Sequence, residues 1–170
     1  SSYPTLPLYP STRDTTACPT GSTCQRDNYT LYLVQNRFFT NALYGEDQLR
    51  QRVAFALHQI IVVSGVDITL PSWMTPYLQV LDRNAFGNYR TLLQQITLSV
   101  SMGEYLTYRR SAKADPKTGS MPDENYAREI LQLFTIGLLQ LGPDGTPTTQ
   151  ETYTQADISG LARVFTGWDQ

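Results

Sequence analysis

The sequence predicts a mainly α-helical protein, and three observations lead to that fold class. Apolar residues recur at the three- and four-residue spacing of one helix face in several segments. Capping-box patterns, which favour helix starts, precede some of these segments. The period-two alternation that is typical of half-buried strands is nearly absent.

The chain begins with a segment that lacks periodicity. Residues 1–28 are rich in Ser, Thr and Pro, and we expect an irregular arm there. The opening, Ser1-Ser2-Tyr3-Pro4, is interpreted as the start of a mature, processed or trimmed protein. Residues 29–170 are expected to form one compact multi-helix domain, because the length is usual for one domain and no repeat or long linker appears.

The arm contains both cysteines of the chain, Cys18 and Cys24. Pro19 and Gly21 lie between them and favour a turn, so we expect a structural disulfide. Two free thiols in a reducing cytosol are the alternative. The spacing is not that of a C-x-x-C redox or haem motif. A disulfide predicts an extracytoplasmic location, namely the periplasm, the cell surface or the medium.

Periodicity, capping signals and glycine stops divide the rest of the chain into helical segments. The predicted helices cover residues 31–43, 46–64, 75–82, 101–108, 123–140 and 154–165, with an apolar stretch at 92–98. Capping boxes are expected to start at Ser101, Ser120 and Thr154. Residues 111–122 have the Pro, Gly and Asp content of a loop, and residues 142–145, Gly-Pro-Asp-Gly, are expected to end a helix in a turn.

Charge and hydropathy exclude two classes of protein. The formal net charge is −2 and the sequence pI is about 5.3, whereas nucleic-acid binders carry a basic excess for phosphate contacts. No apolar run reaches the roughly 20 residues that a membrane-spanning helix needs. We therefore expect no nucleic-acid binding and no membrane span.

The start of the predicted 123–140 helix holds the strongest candidates for chemistry. Glu124 and Arg128 have the spacing of a helical ion pair, and Asn125 and Glu129 that of a hydrogen bond. In a catalytic interpretation one Glu is a general acid or base, Arg128 holds an anionic group and Asn125 contributes to binding. In a structural interpretation the acids stabilise the helix N-terminus. The sequence favours the structural interpretation, since Glu124 and Glu129 do not share a helix face.

Two residues of the predicted 46–64 helix are further candidates. His58, the chain's only histidine, is either a general base or a structural residue. Arg50 lies on the apolar stripe one turn after Glu46, so we expect a partly buried Glu46–Arg50 pair, with Glu129 as a possible third member and a binding role for Arg50 as an alternative.

No cofactor and no metal site is predicted. A single histidine excludes the H-E-x-x-H zinc motif. The loop carboxylates Asp115, Asp123 and Glu124 are of the type that binds calcium, but their spacing does not fit an EF-hand.

Several long strings are distinctive beyond their helical pattern. They are DQLRQRVAFALHQIIVVS at 47–64, NAFGNYR at 84–90, PDENYAREILQLFTIG at 122–137, YTQAD at 153–157 and LARVFTGW at 161–168. In this order they resemble the bacterial family catalogued as domain of unknown function 1800, over about residues 25–168. The resemblance implies an exported protein, a helical domain that continues beyond residue 170 in longer chains, and no known reaction or catalytic residues.

Two functional hypotheses follow. In the first, the chain is a secreted or cell-envelope scaffold or binding module, whose partner is another protein, a second copy of itself or an envelope polymer. In the second, it is part of an extracytoplasmic, hydrolase-like enzyme in which Glu124, Arg128, Glu129 or His58 acts together with residues outside this chain. The sequence favours the first, because no complete catalytic set is found within it.

Overall fold

A computed structural model describes residues 18–169, so the first 17 residues of the predicted arm lie outside the described part. The described residues form eight helices and one two-stranded sheet, which confirms the mainly α-helical fold class. The elements are α1 Cys24–Tyr29, α2 Tyr32–Tyr44, α3 Gln48–Ile60, α4 Pro71–Arg83, α5 Tyr89–Thr97, α6 Val100–Tyr105, α7 Asn125–Gln132, β1 Leu139–Leu141, β2 Pro147–Glu151 and α8 Gln155–Val164. No helix in this part of the chain is long and apolar enough to cross a bilayer.

The chain divides into two compact units, Ser1–Tyr105 and Leu106–Gln170. The first unit contains α1 to α6, and the second contains α7, the β1–β2 hairpin and α8. The division into an arm of residues 1–28 and one domain of residues 29–170 remains a prediction.

A disulfide joins Cys18 to Cys24, as predicted. Cys24 is also the first residue of α1, so the chain is already helical before the predicted end of the arm at residue 28. The Asn28 side chain donates a hydrogen bond to the Cys24 carbonyl at 3.0 Å. The disulfide thus closes a short loop directly onto the start of a helix.

The core of the first unit is formed mainly by α4, by Leu92 and Ile96 of α5, by Met102 of α6 and by the segment that follows α3. The predicted 46–64 helix is wrong over its last four residues, because α3 ends at Ile60. Ile61 has φ −102° and ψ 74°, its side chain is fully buried, and its carbonyl accepts a hydrogen bond from the Tyr77 hydroxyl of α4. Val63 is buried as well. Tertiary contacts therefore replace the last helical turn that periodicity predicts.

The start of α4, which contains two prolines, differs from the prediction. The helix begins at Pro71, where the missing N–H costs no helical hydrogen bond, and it continues through the exposed Pro76 to Arg83. The predicted start at residue 75 was therefore wrong by four residues.

The N-terminal side chains of α5 and α6 make hydrogen bonds of different kinds. In α5 the N-cap is Asn88, whose side chain accepts from the backbone N–H groups of Arg90 and Thr91. The predicted capping box at Ser101 is wrong, since Ser101 lies inside α6 and its hydroxyl donates to the Trp73 carbonyl at 2.7 Å.

The largest departure from prediction is in the second unit, where the 123–140 helix ends at Gln132. Gly137 then takes φ +74°, a conformation that favours glycine, and the chain enters β1. In the hairpin Leu139 pairs with Glu151 and Leu141 with Pro147. Residues 142–145 form its turn rather than a helix end, with the Gly145 N–H donating to the Gly142 carbonyl at 2.9 Å.

The two predicted caps of the second unit had opposite outcomes. The capping box at Ser120 is wrong: the N-cap of α7 is Glu124. The capping box at Thr154 is confirmed, because Thr154 accepts from the Asp157 N–H while the Asp157 carboxylate accepts from the Thr154 N–H.

The core of the second unit is built around Tyr126 of α7. Its ring lies 4.4 Å from that of Tyr108, 4.9 Å from that of Phe165 and 6.5 Å from that of Phe134, centroid to centroid, and all four residues are buried. Ile158 and Ala162 of α8 complete this core. Tyr126 and Phe134 are therefore core residues, whereas Leu133, next to Phe134 in the sequence, is exposed.

Candidate functional site

Glu124 is placed at the N-terminus of α7, where its carboxylate bonds to α8. Oε1 accepts from the Ser159 hydroxyl at 2.7 Å, and Oε2 accepts from the Gln155 amide at 2.9 Å. The Arg128 guanidinium donates to the same Oε2 at 3.2 Å. The structure therefore brings Glu124 and Arg128 together as the spacing predicted, and adds two partners from α8.

These contacts determine the protonation of Glu124. The hydrogen bonds from Ser159 and Gln155, with a smaller contribution from Arg128, hold the pKa of the Glu124 carboxyl below its ordinary value. A general acid needs the opposite shift, towards neutral pH. The contacts therefore favour the structural interpretation, in which Glu124 links two helices.

Glu124→Gln tests that link through its pH dependence. A depressed pKa stabilises the fold above the unfolded-state pKa, and this stabilisation is lost as the pH falls through the folded-state value. At pH 7 we expect a small decrease in Tm relative to wild type, and we expect the difference to shrink below pH 4.5, the ordinary value. Thermal unfolding followed by circular dichroism over pH 3–7 measures it. Glu151→Gln, which removes a carboxylate from the exposed hairpin, is the control, and a difference that does not change with pH would contradict the assignment.

Glu129 and Asn125 do not join this cluster. The predicted hydrogen bond between them is not formed, since the exposed Asn125 amide donates instead to the Thr107 hydroxyl at 3.4 Å. Glu129 Oε2 is buried and has no hydrogen-bond donor among the described residues. The four candidates at the start of α7 thus do not form one cluster in which all of them could act on the same group.

Arg50 takes part in a separate polar cluster of the first unit. Its guanidinium donates to the Asp82 carbonyl at 2.7 Å, lies 3.8 Å from the Asp47 carboxylate and stacks over the Phe86 ring at 4.9 Å. Glu46, the predicted partner, is exposed and is replaced in this role by Asp47, so that prediction was wrong.

Gln51 connects the two acids of the Arg50 cluster. Its amide donates to Asp47 Oδ1 at 3.4 Å and to Asp82 Oδ1 at 3.2 Å. Burial raises the pKa of the Asp82 carboxyl, with the Arg50 charge acting against that shift. The cluster joins α3 to α4 through buried and half-buried groups, which is the behaviour expected of a network that fixes helix register.

His58 of α3 is half-buried and points its ring towards Tyr77, with centroids 5.6 Å apart in an edge-on arrangement. Burial lowers the pKa of the imidazole, so the ring is neutral at pH 7. Within the described chain His58 has this ring contact and no hydrogen bond. A neutral imidazole offers one donor and one acceptor nitrogen.

His58 lines a cleft of about 340 Å³ in the first unit. The walls come from α2, α3, α4 and the segment between α3 and α4. The lining residues are Leu31, Val34, Gln35, Phe38, Phe39, Phe55, His58, Val63, Gly65, Met74 and Leu78. A smaller void, which shares Phe38, Phe55, His58 and Leu78 with the cleft, extends towards Gln51. The cleft is apolar except for Gln35 and His58.

Comparison with known proteins gives one match. The family model described as "Protein of unknown function (DUF1800)" matches residues 7–170. The chain belongs to this family. No curated protein and no solved structure matches it. The resemblance found in the sequence strings is thereby confirmed, and the DUF1800 description names no reaction.

The sequence of this DUF1800 chain pointed to His58 but not to the cleft around it. Phe55 and the apolar run at residues 60–63 surround the end of α3 with apolar side chains, a pattern that is typical of a buried segment. Phe55 and Phe39 are instead partly exposed beside the cleft. Among residues 18–169 no three His, Cys, Asp or Glu side chains come together in a way that could hold a metal ion.

Proposed function

We propose that this DUF1800 chain is a helical binding module of an extracytoplasmic protein, and that its binding site is the apolar cleft between α2, α3 and α4. The observation that carries the proposal is the cleft itself. Its volume, about 340 Å³, lies at the lower end of the range for small-molecule sites, about 300–1,000 Å³. Such a volume suits a ligand of one or two rings.

The charges of the lining residues define the class of ligand. No Asp, Glu, Lys or Arg occurs among the described residues that line the cleft, and the pKa of His58 is lowered by burial. A charged ligand would lose hydration here without gaining a counter-charge. The ligand of the cleft is therefore an uncharged, mainly apolar molecule.

The disulfide supports the extracytoplasmic part of the proposal. Structural disulfides persist in oxidising compartments and are rare in the cytosol, and Cys18–Cys24 is of this kind. The enzyme hypothesis has less support, because Glu124 is held as a hydrogen-bonded carboxylate and because the side chains of Asn125 and Glu129 make no hydrogen bond to it. A protein partner, self-association and an envelope polymer remain predictions.

Equilibrium dialysis against naphthalene tests the cleft, with a variant that fills it. Gly65 lines the cleft, and an added Cβ would lie 3.0 Å from Leu31 Cδ1, the movable end of a side chain. We expect Gly65→Phe to weaken naphthalene binding at least ~10-fold, since loss of about 1.4 kcal/mol of apolar contact has this effect. Val66→Phe places the same side chain on the next residue, which is exposed and does not line the cleft, and should bind like wild type.

Two results would reject this assignment. One is the absence of naphthalene binding to the wild-type protein. The other is equal binding to wild type and to Gly65→Phe, which would place the ligand elsewhere. If Gly65→Phe does not fold, as judged by circular dichroism, Phe39→Asp replaces it, because Phe39 is 60% exposed on the cleft wall and a carboxylate there opposes apolar binding.

A further inference from the structure

Among the described residues that line the cleft, one side chain is ionisable, and it has no hydrogen-bonding partner within residues 18–169. His58 lies on the wall of both the cleft and the smaller void beside it. Its contact with Tyr77 is between rings, and within the described chain neither imidazole nitrogen makes a hydrogen bond. A polar group in an apolar, half-buried site is unfavourable unless its hydrogen bonds are satisfied.

Tyr77 and Gln51, two polar side chains near His58, are bonded to other groups. The Tyr77 hydroxyl donates to the Ile61 carbonyl. The Gln51 amide, next to the smaller void, donates to Asp47 and Asp82. Because His58 lines the cleft, its hydrogen-bonding capacity is available to a molecule bound there.

We infer that the ligand of this cleft is an apolar alcohol or phenol whose hydroxyl hydrogen-bonds to His58. This inference rests on the proposed function, and it names the ligand class of the same site. A hydroxyl can donate to the acceptor nitrogen of a neutral imidazole, which an ether oxygen cannot do. Because burial lowers the pKa of His58, the imidazole keeps its acceptor at neutral pH. The apolar walls accommodate the rest of the molecule.

A matched pair of ligands tests the hydroxyl. Naphthol and its methyl ether, methoxynaphthalene, share the ring system, but only naphthol has a hydroxyl that donates. Isothermal titration calorimetry on the wild-type chain should show naphthol binding about two- to tenfold more tightly, the ratio that corresponds to one net hydrogen bond. His58→Leu should bring the ratio close to one, and His58→Gln, which keeps a donor and an acceptor, should retain part of it. Gln59→Leu, at the next position of α3 and exposed away from the cleft, should leave the ratio unchanged.

A second measurement does not depend on a variant that folds. His58 is the only histidine in the sequence, so its imidazole gives a single, unambiguous set of NMR signals. The nitrogen-15 shift of the acceptor imidazole nitrogen, which responds to hydrogen bonding, should change strongly on addition of naphthol and much less on addition of the ether.

The outcomes separate this inference from the proposed function. Equal affinities for naphthol and its ether in wild type, or a preference that survives in His58→Leu, would overturn the inference while naphthalene binding still supports the cleft. Failure of all three ligands to bind would overturn both. Imidazole signals that do not respond to naphthol would likewise overturn the role of His58.

Discussion

Replacement of Tyr126 by alanine should lower the free energy of unfolding by about 3–5 kcal/mol, the usual cost of deleting a buried aromatic side chain. Tyr126 is fully buried, and its ring contacts those of Tyr108, Phe165 and Phe134. Alanine would remove the central ring of this group and leave a cavity, because three rings attached to different segments cannot all move inward.

Urea denaturation followed by circular dichroism measures this change. Tyr126→Phe keeps the ring and should cost much less than Tyr126→Ala. Leu133→Ala, at an exposed position just after α7, should change the free energy by about 0.5 kcal/mol or less. A loss of under about 1 kcal/mol for Tyr126→Ala would mean that the aromatic group does not stabilise the second unit.

Tyr77→Ala should have an effect of similar size in the first unit, again about 3–5 kcal/mol. The Tyr77 side chain is fully buried, contacts the His58 ring and donates its hydroxyl proton to the carbonyl of Ile61. Alanine would remove the ring. It would also remove the hydroxyl that donates to the carbonyl of Ile61, the C-cap residue of α3.

Tyr77→Phe separates the hydrogen bond from the packing. This variant keeps the ring and leaves the carbonyl of the buried residue Ile61 unpaired. The free energy of unfolding should therefore fall by about 1–3 kcal/mol. Tyr44→Phe, at a position that is 81% exposed, is the matched control and should be close to neutral. Urea denaturation of the three variants checks the order. If Tyr77→Phe proved as stable as wild type, the hydrogen bond would contribute nothing to the end of α3.

A glycine stop and a capping box in the sequence predicted the bounds of two helices closely. The bounds of α2 differ from the prediction by one residue at each end, and α8 follows its capping box from Thr154. Both helices end where a glycine or an irregular segment follows. Their bounds could be read from the sequence because no distant residue determines them.

Predictions failed where distant contacts compete with helical periodicity. After Ile60 the chain leaves the helix to bury Ile61 and Val63 against α4, and the sequence shows an unbroken apolar run there. Residues 138–141, Leu-Leu-Gln-Leu, fit a helix stripe equally well. Residues 139–141 form β1 because the turn at 142–145 pairs them with β2, and three residues are too few to show a period of two.

The candidate site was predictable only in part, for the same reason. Glu124 and Arg128 were identified because an ion pair four residues apart on a helix is local. Their partners Gln155 and Ser159 come from α8, about thirty residues later. The cleft requires three helices to be placed correctly, and spacing along one helix carries no information about the gap between helices.

The exposed hairpin has a consequence for handling the protein. The leucines of β1 face solvent, and no charged residue occurs in the sequence from Leu133 to Leu141. An apolar edge strand without charges is a site for intermolecular pairing, and a formal net charge of −2 gives little electrostatic repulsion between copies. Colloidal stability should therefore be lowest near the isoelectric point of about 5.3, and concentrated samples will keep best in mildly alkaline buffers, where each molecule carries more negative charge.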